Sequence, residues 1–379
     1  VLELDSVHVP IPTVSANGEI YVRKVRGRSS SSLMAVNSST GKVSWERNFK
    51  TQFRPLMQCA LDTSGTVYIG VSDSSGLRKY GRIRAYNSQN GELIWDFRTA
   101  GCVNYPPAIS PDGHVYVSTK RGRVGRDNTS LLRGVVYALE GKTGKVLWKF
   151  ELKGHFTGQP VIGDGDVIYA KSSTTKKVYA LNRKNGKVIW THDAGIDAGL
   201  TIGTDGSVLF LMDDQIISVN KLGEKNWSFK GGSSRIAVGP NGEIYSGNAN
   251  ILFALDEQTG TEKWKYETKG EILTWPAVGS DGSIYVTSDD GKLQVLDSTS
   301  GQKKWDLTLG DGFISSPTLD TDGTIYLSSA TKTYAIQGSS GPAETGWPMF
   351  GQNARNTNRF ADPQNPPREP TLATSPSFT

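Results

Sequence analysis

The sequence predicts an all-β protein folded as an eight-bladed β-propeller of four-stranded antiparallel blades. Eight Trp residues recur at intervals of 37 to 53 residues, at positions 45, 95, 148, 190, 227, 264, 305 and 347. Seven of them follow a glycine by four residues, and a tight turn ending in glycine opens a β-rich run before each Trp. Repeats of this length without helical periodicity are typical of sheets stacked around an axis.

Composition agrees with one large all-β domain. The 379 residues carry 42 Lys and Arg against 37 Asp and Glu, a net charge of +5, and 36% are apolar. No apolar run approaches the ~18 residues that a membrane-spanning helix needs. Two cysteines cannot hold a chain of this length together as a disulfide framework.

Each repeat is predicted to contain four strands, as the unit 101–154 illustrates. Residues 107–109 form strand A, 114–118 strand B, 135–139 strand C and 145–150 strand D, with a turn at Gly144 between strands C and D. Asn-Gly and Asp-Gly turns between alternating apolar residues are the strongest short-range signal for a hairpin, because these residues tolerate positive φ.

The predicted propeller occupies residues 1–360, followed by a Pro-, Ser- and Thr-rich tail or linker over 361–379. The predicted blades are 10–50, 51–100, 101–154, 155–195, 196–231, 232–270, 271–310 and 311–352. We expect residues 342–352 to supply the outer strand of blade 8. The alternating segment 1–9 could pair there instead.

One repeat motif resembles a known family. The pattern Tyr-Ala-Leu-x₄-Gly-Lys-x-x-Trp, at 137–148 and 179–190, is similar to the repeat of pyrroloquinoline-quinone (PQQ)-type eight-bladed propellers. That family includes quinoprotein alcohol dehydrogenases and BamB-like outer-membrane assembly proteins. Residues 347–357 resemble a segment that these proteins carry near a chain end. The resemblance covers residues 10–360 and implies the fold more strongly than a function.

The resemblance also implies features of quinoprotein enzymes that this sequence lacks. Those enzymes share a vicinal Cys-Cys disulfide, a Ca²⁺ ligated by Glu and Asn, and an Asp base. Here Cys59 and Cys102 are 43 residues apart. No His-x-x-x-His or Cys-x-x-Cys spacing is present, so we expect neither a metal nor a cofactor. Cys59 and Cys102 fall on neighbouring blades, which would permit a disulfide and would fit an extracytoplasmic setting.

The loops that lead into strand A are predicted to line the mouth of the axial channel. Residues at this position vary although the repeats around them do not, which is typical of binding loops. The ninth Trp, Trp275, is among them and lies outside the strand-D register. The alternatives are rim packing for Trp275 and solvated or mutually paired charges for Asp197 and Arg235. The candidate ligand-binding residues are Gln58, Asn104, Tyr105, His155, Asp197, Arg235 and Trp275.

Charge is distributed unevenly along the chain. Residues 1–135 hold 18 Lys and Arg against 10 Asp and Glu, a net of +8, so the remainder carries −3. We place this excess in long B–C loops on the face of the mouth, where it would attract anions, or would only aid solubility. No nucleic-acid-binding motif accompanies it. The predicted basic sector consists of Arg26, Arg28, Arg82, Arg84, Arg121, Arg123 and Arg126.

These observations favour a non-catalytic, monomeric, extracytoplasmic binding or scaffold propeller. It would engage a glycan, including an acidic one, or a protein through the mouth. The alternative is a polysaccharide lyase or hydrolase that uses Tyr105, His155 and Arg235, which requires these side chains to converge. A PQQ-dependent dehydrogenase is a less favoured third interpretation.

Overall fold

A computed structural model describes residues 12–15, 18–26, 30–50, 59–73, 80–120, 133–197, 199–233, 235–309, 315–329, 333–344, 347–349 and 351–353. Within these ranges all regular structure is β-strand, arranged as eight antiparallel sheets whose strands pair in chain order. The predicted fold class, an eight-bladed β-propeller, is confirmed. No helix of the described residues is long and apolar enough to cross a membrane.

Blades 1 to 4 each contain four strands. Blade 1 consists of β1 (Thr13–Val14), β2 (Glu19–Arg26), β3 (Ser30–Asn37) and β4 (Val43–Lys50). Blade 2 consists of β5 (Cys59–Leu61), β6 (Thr66–Asp73), β7 (Tyr80–Asn87) and β8 (Leu93–Thr99). Blade 3 consists of β9 (Ala108–Ile109), β10 (His114–Ser118), β11 (Arg133–Glu140) and β12 (Val146–Lys153). Blade 4 consists of β13 (Thr157–Ile162), β14 (Val167–Ser172), β15 (Lys177–Asn182) and β16 (Val188–Asp193).

Blades 5 to 7 repeat this order, and blade 8 has three described strands. Blade 5 consists of β17 (Thr201–Ile202), β18 (Val208–Met212), β19 (Gln215–Val219) and β20 (Lys225–Lys230). Blade 6 consists of β21 (Ile236–Val238), β22 (Glu243–Asn248), β23 (Ile251–Asp256) and β24 (Glu262–Glu267). Blade 7 consists of β25 (Ala277–Val278), β26 (Ser283–Ser288), β27 (Lys292–Asp297) and β28 (Lys303–Thr308). Blade 8 has β29 (Thr318–Leu319), β30 (Thr324–Ser328) and β31 (Thr333–Gln337).

The first strand of each blade, strand A, lies innermost. Strands β1, β5, β9 and β13 contact one another in sequence, as do β17, β21 and β25. Buried hydroxyls join them: Thr13 Oγ1 donates to the Cys59 carbonyl over 2.9 Å, and Thr201 Oγ1 donates to the Ile236 carbonyl over 3.3 Å. The ring therefore closes around a narrow axial channel lined by strand A.

Six junctions between blades, from blades 1 and 2 to blades 6 and 7, are made by the strand-D Trp of one blade and the C–D turn of the next. Trp95 Nε1 donates to the Gly141 carbonyl over 2.6 Å. A Cβ atom on Gly144, whose φ is +71°, would lie 2.7 Å from the Trp95 ring, so only glycine fits this turn. The same pair of contacts recurs for Trp45, Trp148, Trp190, Trp227 and Trp264. These six tryptophans serve ring packing.

Trp347 packs differently from these six tryptophans. The prediction that residues 342–352 form the outer strand of blade 8 is wrong. Its backbone exchanges two hydrogen bonds with Val238, of 2.8 and 3.0 Å, and the Val278 amide donates to the Pro348 carbonyl over 2.8 Å. Val238 and Val278 end the innermost strands of blades 6 and 7. The Trp347 side chain is 2% exposed and packs in the same cluster as Val161.

We call the described residues 341–344 and 347–349 the channel plug. It lies along the innermost strands where they meet the A–B turns, so it closes the channel at the end opposite the D–A loops. The unpaired polar edges of two inner strands gain partners there, which explains why the segment docks inside the ring. The alternative pairing of Val1–Val9 with blade 8 falls outside the described residues.

The two cysteines are not joined by a disulfide. Cys59 lies in β5 and is 3% exposed, and its burial raises the pKa of the thiol to about 12. Cys102 lies in the loop into blade 3, where its backbone forms an isolated antiparallel β-bridge with Lys120, two residues after the end of β10. The disulfide that neighbouring blades would permit is therefore absent, and it gives no support to an extracytoplasmic setting.

Candidate functional site

The candidate site is the channel mouth, at the end that the channel plug leaves open. Here the D–A loops lead into strand A and share a face with the B–C loops. The six described candidates all lie in D–A loops: Asn104 and Tyr105 before β9, His155 before β13, Asp197 before β17, Arg235 before β21, and Trp275 before β25. Gln58 falls outside the described residues.

Hydroxyl groups on strand B fasten these loops to the ring. Ser172 Oγ donates to the His155 carbonyl over 2.8 Å, and Ser72 Oγ donates to the Val103 carbonyl over 3.2 Å. In blade 6, Ser246 Oγ accepts from the Ser233 amide over 2.9 Å and donates to the Ser233 carbonyl. These buried and partly buried bonds hold the loops into blades 3, 4 and 6, so this described part of the mouth is preformed.

His155 is held by its own blade. Its Nε2 lies 2.9 Å from Ser173 Oγ and its Nδ1 lies 3.0 Å from Thr174 Oγ1, both in the B–C turn. Within the described ranges no hydrogen bond or ion pair joins any two of Tyr105, His155 and Arg235. No observed contact therefore supports the lyase or hydrolase hypothesis.

Arg235 occupies a position that other blades fill with apolar side chains. Counting eight residues from each strand-D Trp gives Phe53, Val103, Phe156, Ala198, Arg235, Ile272 and Phe313. Val103 and Ile272 are buried in the seams between blades, where each packs against a strand-B glycine of the preceding blade. Arg235 is half-buried, and its burial lowers the pKa of the guanidinium below its usual range.

Lys171 is a buried cation near the mouth that the sequence interpretation did not anticipate. It lies two residues after the strand-B aromatic, a position that is Gly, Ser or Thr in five of the eight blades. Lys171 is 1% exposed; its Nζ donates to the Leu211 carbonyl over 3.3 Å and lies 5.7 Å from the Phe210 ring centre. The sequence signal that could have indicated this residue is a lysine at a repeat position that most other blades fill with a small side chain.

Asp197 acts on both of these cations. Burial lowers the pKa of Lys171 to about 8, and the charge of Asp197 opposes that shift. Asp197 likewise opposes the effect of burial on Arg235. Yet no ion pair within 4 Å joins Asp197 to Arg235 or Lys171 in the described part of the chain. The exposed carboxylate of Asp197 therefore acts electrostatically on one cation of blade 4 and on one cation in the loop into blade 6.

Trp275 is half-buried at the rim of the mouth. Its amide donates to Ser316 Oγ over 2.9 Å, which ties the loop into blade 7 to the loop into blade 8. Asn104 lies 3.5 Å from Ser72 Oγ through its Oδ1. Trp275 lies in a D–A loop, as does Arg235, so both are on the same face of the ring.

The structure describes only three residues of the predicted basic sector. Arg82 and Arg84 lie in strand β7 and not in a B–C loop, and both pair with Asp96, at 2.7 and 3.1 Å. Arg26 ends strand β2. Arg28, Arg121, Arg123 and Arg126 fall outside the described residues. Arg82 and Arg84 are two residues apart on β7, so their side chains lie on the same face of the sheet and both reach Asp96 on the outer strand β8. Neither arginine therefore contributes an unpaired charge to the mouth.

A second exposed surface lies on the outer rim. A β-bulge precedes the strand-D Trp, so that Ala138 pairs with Trp148 whereas Leu139 pairs with Val146. Both residues before the Trp then face solvent: Val146 is 37% and Leu147 45% exposed. The equivalent pairs are Leu93-Ile94 and Val188-Ile189 in blades 2 and 4, but Lys225-Asn226, Glu262-Lys263 and Lys303-Lys304 in blades 5 to 7. The rim of blades 2 to 4 is therefore apolar, and that of blades 5 to 7 is charged.

The fold and these repeats define an eight-bladed PQQ-type propeller, and comparison with known proteins agrees. A family model described as "Outer membrane protein assembly factor BamB" matches residues 4–130, 79–219 and 212–368. The chain belongs to this family. Among solved structures, BamB from Moraxella catarrhalis is 17% identical with a TM-score of 0.65, covering 89% of this chain and 99% of its own. A europium-containing methanol dehydrogenase is 13% identical with a TM-score of 0.66, covering 86% and 84%.

Two curated relatives are enzymes that this chain matches only in part. A quinoprotein ethanol dehydrogenase of Pseudomonas putida is 35% identical over 25% of this chain and 14% of its own length. The dehydrogenase subunit of a quinone alcohol dehydrogenase of Gluconacetobacter polyoxogenes is 25% identical over 38% and 20%. The chain thus spans a fifth or less of either relative, and the family covers both binding propellers and dehydrogenases.

The residues present do not fit the quinone-and-calcium site that the enzyme relatives imply. Cys59 and Cys102 lie in different blades and are not joined. In the described ranges no three His, Cys, Asp or Glu side chains converge where a metal ion could be held. Ca²⁺ prefers carboxylate and carbonyl oxygen ligands, and among the described candidate residues of the mouth only Asp197 carries a carboxylate.

Proposed function

We propose that this protein is an extracytoplasmic binding propeller that engages a protein partner of an outer-membrane assembly system through the channel mouth. The observation that carries the proposal is the preformed mouth. Strand-B hydroxyls fix the D–A loops, and on those loops Asp197, Arg235 and Trp275 depart from the repeat. A surface that is rigid before binding loses little conformational entropy on association.

A protein partner is favoured over a glycan by the chemistry of that surface. Interfaces are enriched in Trp and Arg, which combine a large contact area with directional hydrogen bonds. A sugar site would instead need neutral hydrogen-bond donors and acceptors grouped around an aromatic face, and the described mouth offers charged groups beside Trp275. The family match, whose description names outer-membrane protein assembly, supports the same conclusion and the extracytoplasmic location.

Site-specific photo-crosslinking tests the proposal. A photoreactive phenylalanine derivative replaces Trp275 in one variant and Leu147, on the apolar rim, in another; each is expressed in the producing cells. We expect the Trp275 position to crosslink to an envelope protein of the assembly system and the Leu147 position to give no such product. Crosslinks from Leu147 alone would move the partner to the outer rim. Glycan capture by the wild type that is lost on Trp275→Ala would replace the protein partner with a carbohydrate.

A further inference from the structure

A cavity of 410 Å³ lies between blades 2 and 3, on the face of the ring opposite the mouth. It forms where the A–B turns of these two blades meet the C–D turn of blade 3, and it shares no residue with the candidate site. A Cβ atom added to Gly113 would meet no atom within 4 Å, which agrees with open space beside this turn. The volume falls in the range of ~300–1,000 Å³ that small-molecule sites occupy.

At the next two seams, a cation from the following blade occupies the corresponding place. Between blades 3 and 4, Arg183 Nη1 in the C–D turn donates to both carboxylate oxygens of Asp112 in the A–B turn, over 2.9 and 2.8 Å. Between blades 4 and 5, Lys221 Nζ donates to Asp164 Oδ2 in the same way. Each of these seams therefore pairs a carboxylate of one blade with a cation of the next.

The seam between blades 2 and 3 has the carboxylate but lacks the cation. Gly141 takes the register of Arg183, since each precedes the glycine of its C–D turn by three residues. A Cβ atom on Gly141 would lie 2.1 Å from the Gly113 carbonyl oxygen and 2.9 Å from the Tyr68 hydroxyl oxygen, so no side chain fits there. Asp62 lies in the A–B turn of blade 2, and within the described ranges it forms no ion pair. The cavity thus leaves open the place that cations fill at the next two seams.

The carboxylate of Asp62 is fixed by its own blade. Its Oδ1 accepts from the Ser64 amide over 2.9 Å, from Ser64 Oγ over 2.7 Å and from the Thr66 amide over 2.8 Å. Its Oδ2 accepts from the hydroxyl of Tyr68, a side chain that is 1% exposed, over 2.8 Å. A carboxylate oxygen can accept two hydrogen bonds, so Oδ2 retains the capacity to accept one from a ligand.

The charged groups of the cavity leave one negative charge unbalanced. Its lining carries three carboxylates, one lysine and the imidazole of His114, which is counted as neutral at pH 7. Arg183 balances one of these carboxylates, Asp112, while its other partner, Asp166, also pairs with Lys184. A cationic ligand therefore neutralises the site, whereas an anion would add to the excess. The ionised lining residues are Asp62, Asp112, Glu140 and Lys142.

From this geometry we infer that the cavity binds an alkylguanidinium or alkylammonium group, with Asp62 as its counter-ion. The head group takes the part that Arg183 and Lys221 take at the next two seams, and it gains a charge-assisted hydrogen bond to a fixed carboxylate. The alkyl body packs on the apolar part of the lining, formed by Ile109 and Pro111. Free small amines and guanidines carry such a group, as do Lys and Arg side chains of a polypeptide. The inference goes beyond the proposed function, because it concerns the opposite face of the ring.

Saturation-transfer-difference NMR on the purified full chain tests the site. The probes are butylguanidinium and butylurea, a neutral molecule of nearly the same shape, and we expect the wild type to bind the cation about tenfold more tightly or better. Asp62→Asn keeps the shape of the side chain and removes its charge, and it should weaken butylguanidinium binding about tenfold or more. Asp320→Asn is the matched control, because Asp320 holds the same turn position in blade 8, and it should bind as the wild type does.

Equal binding of butylguanidinium by the wild type and Asp62→Asn would overturn the inference, as would equal affinity of the wild type for butylguanidinium and butylurea. Because Asp62 also holds its turn through hydrogen bonds, a thermal melt of each variant accompanies the titration. If Asp62→Asn does not fold, Glu140→Gln decides the question. A loss of affinity of about threefold in that variant supports the site, and unchanged binding rejects it.

A blocked tripeptide, acetyl-Gly-Arg-Gly-amide, distinguishes the sources of the cation. Tighter binding of the peptide than of butylguanidinium supports a polypeptide side chain as the ligand, and weaker binding supports a free small cation; both results retain the site. The titration needs no partner protein and its variants lie far from Trp275. The crosslinking result and the titration result can therefore fail independently, so each proposal is tested by itself.

Discussion

Replacing Trp347 by alanine should destabilise the ring through loss of the channel plug. The side chain is 2% exposed. Burying about 200 Å² of indole is worth about 5 kcal/mol at ~25 cal/mol per Å², and measured Trp-to-Ala replacements in protein cores cost about 3–5 kcal/mol. For a chain of this size we expect the melting temperature to fall on the order of 5 °C.

Hydrogen exchange measured by mass spectrometry shows where the loss occurs. The amides of Val238 and Val278 donate to the carbonyls of Trp347 and Pro348. Both amides should exchange faster in Trp347→Ala, while strand β31 of blade 8 keeps its protection. The opposite pattern, with fast exchange in β31 and unchanged Val238 and Val278, would show that the channel plug forms the outer strand of blade 8 and would refute the reasoning.

The remaining predictions concern turns, thiols and pH. In thermal or denaturant melts, Gly144→Ala should destabilise the protein by about 2 kcal/mol more than Gly113→Ala. Both glycines have positive φ, but only at Gly144 would an added Cβ atom press against a Trp ring. Equal losses of stability in the two variants would contradict this. Thiol titration without reductant should find two thiols per denatured chain, and in the native chain buried Cys59 should resist alkylation at pH 8 whereas Cys102 reacts; one thiol or none when denatured would indicate a disulfide. Partial burial by itself would raise the pKa of Asp281, but hydrogen bonds from serines hold this pKa at about 2, below its ordinary 3.8. Its contribution to stability is therefore present above pH 3.8 and lost as the pH falls towards 2; Asp281→Asn should flatten that part of the stability profile, and an unchanged profile would contradict it.

Turn chemistry and the Trp interval sufficed to predict much of the fold. In the unit 101–154, strand B was predicted at 114–118 and is observed at His114–Ser118. The ends of strands A, C and D differ from the prediction by two residues or fewer, except the end of β12, which differs by three. These elements depend on contacts within one hairpin and on a packing residue that recurs at a fixed interval. Both kinds of information are local, so a single sequence contains them.

The candidate site was predictable only in part, because its residues lie on loops from different blades. Variation in the D–A loops indicated Asp197 and Arg235, and the structure places both in such loops. It did not indicate Lys171, which lies on strand B and whose burial depends on contacts with the neighbouring blade 5. Nor did it indicate that Arg82 and Arg84 share Asp96, since that pairing depends on which face of β7 each side chain takes.

The sequence by itself determined the number of blades, the strands of each repeat and the role of the strand-D tryptophans, because these follow from short-range turns and a regular interval. Only the tertiary structure decided that the channel plug docks along the inner strands of blades 6 and 7, that the cysteines are not joined, and that Lys171 is buried against blade 5. Trp347 looks like the eighth member of the repeat, yet the open edges of β21 and β25 offer it hydrogen bonds inside the ring. Such choices depend on residues far apart in the chain, and a pattern along the sequence does not contain them.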